Sequence, residues 1–234
     1  MILTAHQPVY LPWLGLFHKI ALADLFCYFD IVQYQKKDYN NRNKIKTENG
    51  ALWLSVPVES KNHFEKNVSQ ILIIQGRWVE KHLKTIELNY KKATYFEEYF
   101  PILRTTLIDA SKKSLGQLNL TLLEYFMQSL NINTPIVKAS DYDFNGKGSD
   151  LVLDMCVKLE ARKYIFGEQG ENYADKDAFH KSAVELYFQK YNHPVYAQKG
   201  NDFLPYMSII DLLFNEGEKS YDILMSGNND MNIH

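Results

Sequence analysis

Residues 2–46 read ILTAHQPVYLPWLGLFHKIALADLFCYFDIVQYQKKDYNNRNKIK. A short apolar run ends at His6, a helical pattern begins at Trp13, and a second apolar run follows the helix. Two prolines mark the turn before the helix, because proline has no backbone N–H to donate. The order strand, helix, strand is typical of a parallel α/β unit.

The rest of the chain continues this alternation. Apolar runs predict strands at 51–58, 68–74, 135–139 and 163–166, with one or two more in 184–196, the last of them antiparallel at an edge. Apolar stripes at helical spacing predict helices at 77–92, 96–113, 114–130, 150–160 and 208–215. We therefore expect an α/β fold, a three-layer sandwich with a mainly parallel, Rossmann-like sheet.

Length and composition are those of an ordinary globular protein. With 234 residues, of which 46% are hydrophobic and 23% charged, the chain can bury a substantial core. We expect a single α/β domain over residues 1–217, with its site in the amino-terminal half, and a flexible tail at 218–234. The sequence leaves the oligomeric state open.

Composition also disfavours several classes of protein. The formal net charge of −2 argues against general nucleic-acid binding, which needs a broad positive field. Cys27 and Cys156 have neither zinc-ligand spacing nor the pattern of a disulfide framework. We find no secretory signal and no apolar run of about 20 residues, so we expect a cytoplasmic protein without a transmembrane segment.

Polar residues at the ends of the first two strands are the candidate catalytic groups, because open α/β sheets bind ligands beyond the carboxyl ends of their strands. An imidazole at His6, with an ordinary pKa of about 6.5, can act as a general base. Asp30 can orient the nucleophile or cap a turn. His18 lies on the first helix, where a buried structural histidine is the alternative. These three could form a metal site, but no spacing requires one, and we predict none.

A basic, amide-rich segment at 36–46 follows the second strand. Arg42 can bind phosphate in bidentate fashion while amides bind sugar hydroxyls, although a solvated charged face is the alternative. Gly15 marks a helix start suited to phosphate, and Trp13 or Tyr10 can stack on a base or a sugar. The predicted substrate- and phosphate-binding residues are Gln7, Tyr10, Trp13, Gly15, Gln33, Tyr34, Asn40, Arg42, Lys44, Lys46, Gly167, Gly170 and Tyr173.

Two later stretches have both functional and structural interpretations. Gly167 and Gly170 follow a strand, where a glycine-rich turn can cradle phosphate, but a plain tight turn explains them equally well. Ser208 and Asp211 have capping-box spacing before an apolar run, so we expect Asp211 to stabilise the start of a helix rather than to act as a catalytic acid.

Seven segments together resemble the WbqC-like family of bacterial proteins, which is found among genes for O-antigen and other surface polysaccharides. They are AHQPVYLPWLGLFHKIALAD at 5–24, VQY at 32–34, NRNKIKT at 41–47, WLSVPV at 53–58, GEQGENY at 167–173, HPVYAQ at 193–198 and SIIDLLFNEG at 208–217. The resemblance covers nearly the whole chain. It implies transfer of glycine or another acyl group to a sugar.

The leading hypothesis combines this resemblance with the candidate residues. It is an enzyme of surface-polysaccharide biosynthesis that transfers an acyl or aminoacyl group, glycine among the candidates, to a sugar-nucleotide or lipid-linked sugar. The acyl donor is unknown; ATP and magnesium follow if the acyl group is activated in the same site. The alternatives are a non-catalytic sugar-nucleotide-binding protein of a polysaccharide assembly complex and a nucleotidyl transferase.

Overall fold

The structure is a computed structural model that describes residues 1–59, 61, 63–200 and 202–227. Its strands are β1 (Ile2–His6), β2 (Leu25–Tyr28), β3 (Arg42–Thr47), β4 (Gly50–Ser55), β5 (Ile136–Lys138), β6 (Lys163–Gly167) and β7 (Glu185–Gln189). Its α-helices are α1 (Leu14–Ala21), α2 (Trp78–Tyr90), α3 (Phe96–Ala110), α4 (Leu115–Ser129), α5 (Ser149–Lys158), α6 (Lys176–Lys181), α7 (Ile209–Glu216) and α8 (Ser220–Ser226). Short 3₁₀ helices span His63–Glu65, Val68–Gln70, Ala139–Asp141, Glu168–Asn172 and Gly217–Lys219.

Five strands form one parallel sheet in the order β5-β2-β1-β6-β7. The chain starts at the central strand, extends the sheet through β2 to β5, and then crosses to the other side of β1 for β6 and β7. This is the doubly wound order of a Rossmann-like fold. The predicted α/β fold with a mainly parallel sheet is confirmed.

Helices cover both faces of this sheet and give it three layers. On one face α1 and α4 pack together, with Phe17 and Phe126 meeting edge to face at 6.1 Å between ring centroids. On the other face α5 and α6 contribute Cys156 and Phe179 to an apolar cluster that includes Leu3 of β1. Successive side chains of a strand point to opposite faces of the sheet, so every strand can contribute side chains to the apolar clusters on both faces.

A long insertion between β2 and β5 carries an antiparallel hairpin of β3 and β4. The sequence predicted no strand at 42–47, where the structure has β3. Polar residues occupy positions that a half-buried strand usually fills with apolar ones. Asn43 takes one inward position and donates to the Leu11 backbone oxygen at 2.7 Å, so a hydrogen bond fixes the strand where hydrophobicity gives no signal.

Two further strand predictions were wrong in part. Residues 68–70 form a 3₁₀ turn, which the Gln70 side chain closes by accepting from the Asn67 N–H at 3.0 Å, in place of the strand predicted at 68–74. The strand within 184–196 is β7, which lies at the sheet edge as expected. It pairs with β6 in parallel rather than antiparallel orientation.

The carboxyl-terminal part of the described chain is helical. The sequence analysis predicted a flexible tail from residue 218, whereas α8 continues the fold because Leu224 is fully buried in the main apolar cluster. Residues 228–234 lie outside the described residues. No helix in the described part of the chain is long and apolar enough to cross a bilayer.

Candidate functional site

The sheet loses its backbone pairing at the centre of its carboxyl edge. β1 pairs with β2 as far as His6↔Tyr28 but with β6 only as far as Thr4↔Ile165, although β6 continues to Gly167 beside β7. This gap lies where the strand order reverses, and open α/β sheets bind ligands there. We call the ends of β1 and β6, at His6 and Gly167, the switch point.

A lysine from α1 reaches the unpaired backbone at the switch point. Lys19 is 4% exposed, and its Nζ donates to the Ala5 backbone oxygen at 2.9 Å. The Ala5 backbone also hydrogen-bonds the Tyr164 hydroxyl. The Lys19 side chain thus satisfies the Ala5 backbone oxygen, which follows the last β1–β6 pair. Burial lowers the pKa of Lys19 to about 8, so the amine is mostly protonated at neutral pH.

His6 lies beside this lysine with a defined tautomer. Its Nδ1 is 2.8 Å from the Gln7 backbone oxygen, and since a carbonyl only accepts, Nδ1 carries the proton and Nε2 the lone pair. The ring meets Trp13 edge on, with centroids 5.4 Å apart.

The environment of His6 keeps its imidazole neutral. Burial is the main cause that lowers the pKa of His6 to about 4, and the positive charge of Lys19 lowers it further, whereas the Gln7 carbonyl and the Asp38 carboxylate act in the opposite direction. At pH 7 the lone pair on Nε2 is therefore available in nearly every molecule.

The loop before β3 joins the basic hairpin to β1. The Gln7 side chain donates to the Asp38 carboxylate at 3.2 Å. The Tyr39 ring contacts Trp13 and Trp53, with centroids 5.2 and 5.6 Å apart. Trp13, Tyr39 and Trp53 form a continuous series of ring contacts, which we call the aromatic row, and it begins at His6.

Two cations stand at the far end of the aromatic row. The Arg42 guanidinium lies 4.2 Å from the centroid of the Trp53 ring, and the Lys44 Nζ lies 5.0 Å from it. Arg42 also donates to the Lys37 backbone oxygen. Because Trp53 is 37% exposed, these cations present positive charge beside an accessible ring. The arrangement suits a ligand that combines an oxyanion with a flat ring or a sugar.

Lys46 is the third cation of β3 that was predicted to bind substrate or phosphate, but its side chain does not join those of Arg42 and Lys44. It is almost completely buried, and its Nζ donates to the Gln198 side-chain oxygen at 3.1 Å and to the Asp202 backbone oxygen. Lys46 thus belongs to a buried polar network rather than to the surface formed by Arg42 and Lys44.

Asp211 is the centre of that network and is fully buried. The Tyr90 hydroxyl donates to Oδ1 at 2.8 Å, while the Tyr196 hydroxyl and Gln198 Nε2 donate to Oδ2 at 2.8 and 2.7 Å. Burial raises the pKa of Asp211, and the three donors and the Lys46 charge offset part of that rise. Ser208 is the N-cap of α7, as its spacing predicted. The Asp211 side chain does not complete a capping box, because both of its carboxylate oxygens accept from side chains of the network.

Two predicted binding residues are enclosed by protein. Tyr10 is fully buried with its hydroxyl 2.9 Å from His82 Nδ1, so its ring cannot stack on a ligand. Asn40 is also fully buried, and its side-chain amide donates to the Pro8 backbone oxygen at 2.8 Å. Both residues fix the course of the chain after β1.

Protein side chains pack against the start of α1. The Gln189 side-chain amide donates both to the Gly15 backbone oxygen at 2.9 Å and to His18 Nδ1 at 2.8 Å. A Cβ built on Gly15 would lie 3.1 Å from the Tyr191 ring. Burial lowers the pKa of His18 to about 4. His18 is therefore a neutral, hydrogen-bonded core residue, which is the structural role given above as its alternative. The Tyr191 ring lies against Gly15, where a phosphate cradle was predicted.

Asp30 also has a structural partner, since it accepts hydrogen bonds from the Ser140 N–H at 3.0 Å and hydroxyl at 2.9 Å. Tyr34 is 3% exposed. Gln33 is exposed and donates to the Phe64 backbone oxygen at 2.9 Å.

Among the described residues, no group of three or more His, Cys, Asp or Glu side chains is placed to hold a metal ion.

The glycines after β6 have different environments. Gly167 lies at the switch point, and a Cβ built on it would meet nothing within 4 Å. A Cβ on buried Gly170 would lie 2.5 Å from the Phe166 side chain, so Gly170 is required for packing. Tyr173 is 54% exposed and meets Phe166 edge on. The structure thus places Gly167 near His6 and gives Gly170 a structural role.

A cavity of about 560 Å³ lies at the opposite edge of the sheet, with Arg162 and Ser182 among its lining residues. These residues precede β6 and β7, so the cavity is at the amino ends of the strands. We favour the switch point as the functional site, because polar side chains with perturbed pKa values gather there.

Sequence reasoning missed Lys19, Asp38, Tyr39 and Trp53 as members of the site. One signal was present: Lys19 lies in a helix whose sequence, LGLFHKIA, is apolar on all sides, and a helix of that kind is buried. The aromatic row gave no such signal, because its three rings come from separate segments of the chain.

The fold and the site define a doubly wound α/β protein in which a basic hairpin and an aromatic row extend from the switch point. The WbqC-like protein family matches residues 7–223, and the chain belongs to this family. An uncharacterized protein of Mycobacterium tuberculosis, Rv1507c, is 32% identical over 219 residues, which cover 93% of this chain and 95% of that protein. No solved structure matches the chain.

Proposed function

We propose that the protein transfers an acyl or aminoacyl group, glycine among the candidates, to an amino group of a sugar linked to a nucleotide or a lipid phosphate. The observation that carries this proposal is His6, a neutral imidazole with its Nε2 lone pair at the switch point. The proposal includes a cytoplasmic location and a role in surface-polysaccharide biosynthesis, both of which come from the family resemblance.

In this proposal His6 acts as a general base. The acceptor amine attacks the acyl carbonyl carbon, Nε2 takes up the proton that the amine loses, and the bond from the carbonyl carbon to its leaving group breaks. The hydrogen bond from Nδ1–H to the Gln7 carbonyl holds the tautomer that this step needs. A pKa near 4 makes a weak base, but a bound oxyanion would raise it.

The basic hairpin supplies the binding part of the proposal. Arg42 and Lys44 present two positive charges over the partly exposed Trp53 ring. Phosphate oxygens of a sugar-nucleotide or lipid-linked sugar match these cations, and a base or sugar face matches the ring. The aromatic row then leads from this phosphate region to His6.

The test is a transfer assay with defined probes. Labelled glycine with ATP and magnesium, or acetyl-coenzyme A, would serve as donors, and UDP- and dTDP-linked amino sugars as acceptors, with the amide product detected by mass spectrometry. Replacing His6 by alanine should lower kcat at least 100-fold, the ordinary range for a general base, and leave the acceptor dissociation constant within about threefold. His180, which is exposed on α6, provides the matched His→Ala control. An unchanged kcat in His6→Ala would refute the assignment.

The low pKa of His6 also favours a second candidate, a non-catalytic sugar-nucleotide-binding protein, because a ligand site does not need a strong base. This candidate requires nucleotide-sugar binding without turnover with every donor. Nucleotidyl transfer is less well supported, since the Tyr191 and Gln189 side chains pack against the helix start at Gly15. It would be detected as pyrophosphate release without amide formation.

A further inference from the structure

Lys19 is a buried cation with few partners. Its ammonium group has three donors, and its hydrogen-bond partner in the described structure is the Ala5 backbone oxygen. Within the described residues, no carboxylate lies within 4.0 Å of its Nζ. An uncompensated buried charge costs several kcal/mol in ordinary cases. The position therefore needs an explanation beyond packing.

The location of this cation supplies one. Lys19 lies where β1 and β6 cease to pair, and this is where doubly wound sheets bind their ligands. Its charge also acts on the imidazole of His6. At the end of the neighbouring strand β6, Gly167 leaves open space where a side chain would otherwise project. A positive charge, a neutral imidazole and open space at one point suit a small anionic group.

We propose that Lys19 is the anion-binding residue of the switch point and holds a carboxylate or phosphate group of the ligand next to His6. This inference deepens the proposed function, on which it rests for the identity of the substrate, by naming the group that the switch point recognises. The anion would complete the coordination of the ammonium and offset the buried charge.

A purely structural role for Lys19 makes different predictions. If the side chain serves only to satisfy the Ala5 oxygen, its replacement by methionine should destabilise the fold, and added anions should have no effect. If it is an anion site, methionine has a similar length and removes an uncompensated charge. Because Lys19→Met loses the bond to the Ala5 oxygen in either case, the anion effect decides: phosphate or acetate should raise the melting temperature of the wild type and leave that of Lys19→Met unchanged.

The deciding experiment is an NMR titration of the lysine side-chain and histidine ring signals in the full chain. Inorganic phosphate and acetate are the two probes, which separates the phosphate source from the carboxylate source, and chloride controls for ionic strength. The charged groups around the imidazole are Lys19 from α1 and Asp38 from the loop before β3. Lys147→Met, at an exposed lysine outside the site, is the matched control.

We expect saturating phosphate or acetate to raise the pKa of both Lys19 and His6 by about one unit. A rise of one unit means that the protonated form of the group binds the anion about tenfold more tightly than the neutral form. In Lys19→Met the His6 pKa should be higher without anion and should no longer respond to it. Either of two results would overturn the proposal: no shift at Lys19 with either anion, or a His6 response that persists in Lys19→Met. These results need no acyl donor, so they do not depend on the transfer assay.

Discussion

Replacing Asp211 by alanine should cost about 3–5 kcal/mol of the free energy of unfolding. The carboxylate is fully buried and accepts three hydrogen bonds of 2.7–2.8 Å. Bonds to a charged acceptor contribute about 1.5–3 kcal/mol each, and a buried donor left unpaired costs about 1–3 kcal/mol. The three contributions are not additive, so the expected total is that of breaking a buried charged network.

The measurement is urea unfolding of the variants at pH 7, followed by circular dichroism. For a chain of this size the expected change corresponds to a melting temperature lower by roughly 6–20 °C. Asp211→Asn should lose less, about 1–3 kcal/mol, because one oxygen still accepts while the new amide faces a donor. Asp109→Ala is the control, because the Asp109 side chain is 71% exposed and its ion pair with Lys112 is long, at 4.0 Å. The free energy of unfolding of this variant should stay within about 0.5 kcal/mol of that of the wild type.

A loss below about 1 kcal/mol in Asp211→Ala would refute this account. So would a double-mutant cycle in which Asp211→Ala and Tyr196→Phe destabilise additively, because residues that share a hydrogen bond should couple by about 0.5–3 kcal/mol. In either case the family-like segments at 193–198 and 208–217 would need an explanation other than this network.

Three further predictions concern folding and the hairpin. The free energy of unfolding should fall as the pH drops from about 6.5 to about 4, because the folded state keeps His18 neutral while the unfolded state binds a proton. In urea titrations His18→Asn should reduce this slope by about 1.4 kcal/mol per pH unit, and an unchanged slope would contradict the assignment. Gly170→Ala should lower the melting temperature because its Cβ would meet a side chain at 2.5 Å, whereas Gly167→Ala should fold normally; equal effects would contradict the packing argument. Arg42→Gln should weaken UDP-sugar binding about tenfold by calorimetry, and an unchanged affinity at low salt would remove it from the site.

The sheet could be predicted from the sequence because its signals are local. The five strands of the parallel sheet, β1, β2, β5, β6 and β7, are short apolar runs in the sequence. Helical segments lie between them. The strand at 42–47 could not be predicted from a local signal. Asn43 is buried through a hydrogen bond to the Leu11 backbone oxygen, which is 32 residues away in the sequence. A polar residue that is buried through a distant hydrogen bond looks in sequence like a solvent-exposed one.

The site could be predicted only in part, for the same reason. His6 could be singled out as a candidate because its position at the end of a strand is a local feature. Lys19 was missed because its role depends on β6, which lies more than 140 residues later and stops pairing with β1 at Thr4. Residues quoted from the family-like segments, such as Gln198, turned out to contact Asp211, a pairing that no spacing rule would suggest.

Any anion that binds at the switch point couples the protonation of Lys19 to that of His6. Burial lowers the pKa of Lys19 to about 8 and that of His6 to about 4. An anion that pairs with protonated Lys19 must raise its pKa, and by linkage the protonated form must bind the anion more tightly. If Lys19 is the anion site, affinity for acetate, which does not itself titrate in this range, should be nearly constant from pH 6 to 7 and then fall about tenfold in all between about pH 8 and pH 9. Calorimetry in two buffers of different ionisation enthalpy should show proton uptake near pH 8 that is absent in Lys19→Met, and affinity independent of pH across that range would contradict the linkage.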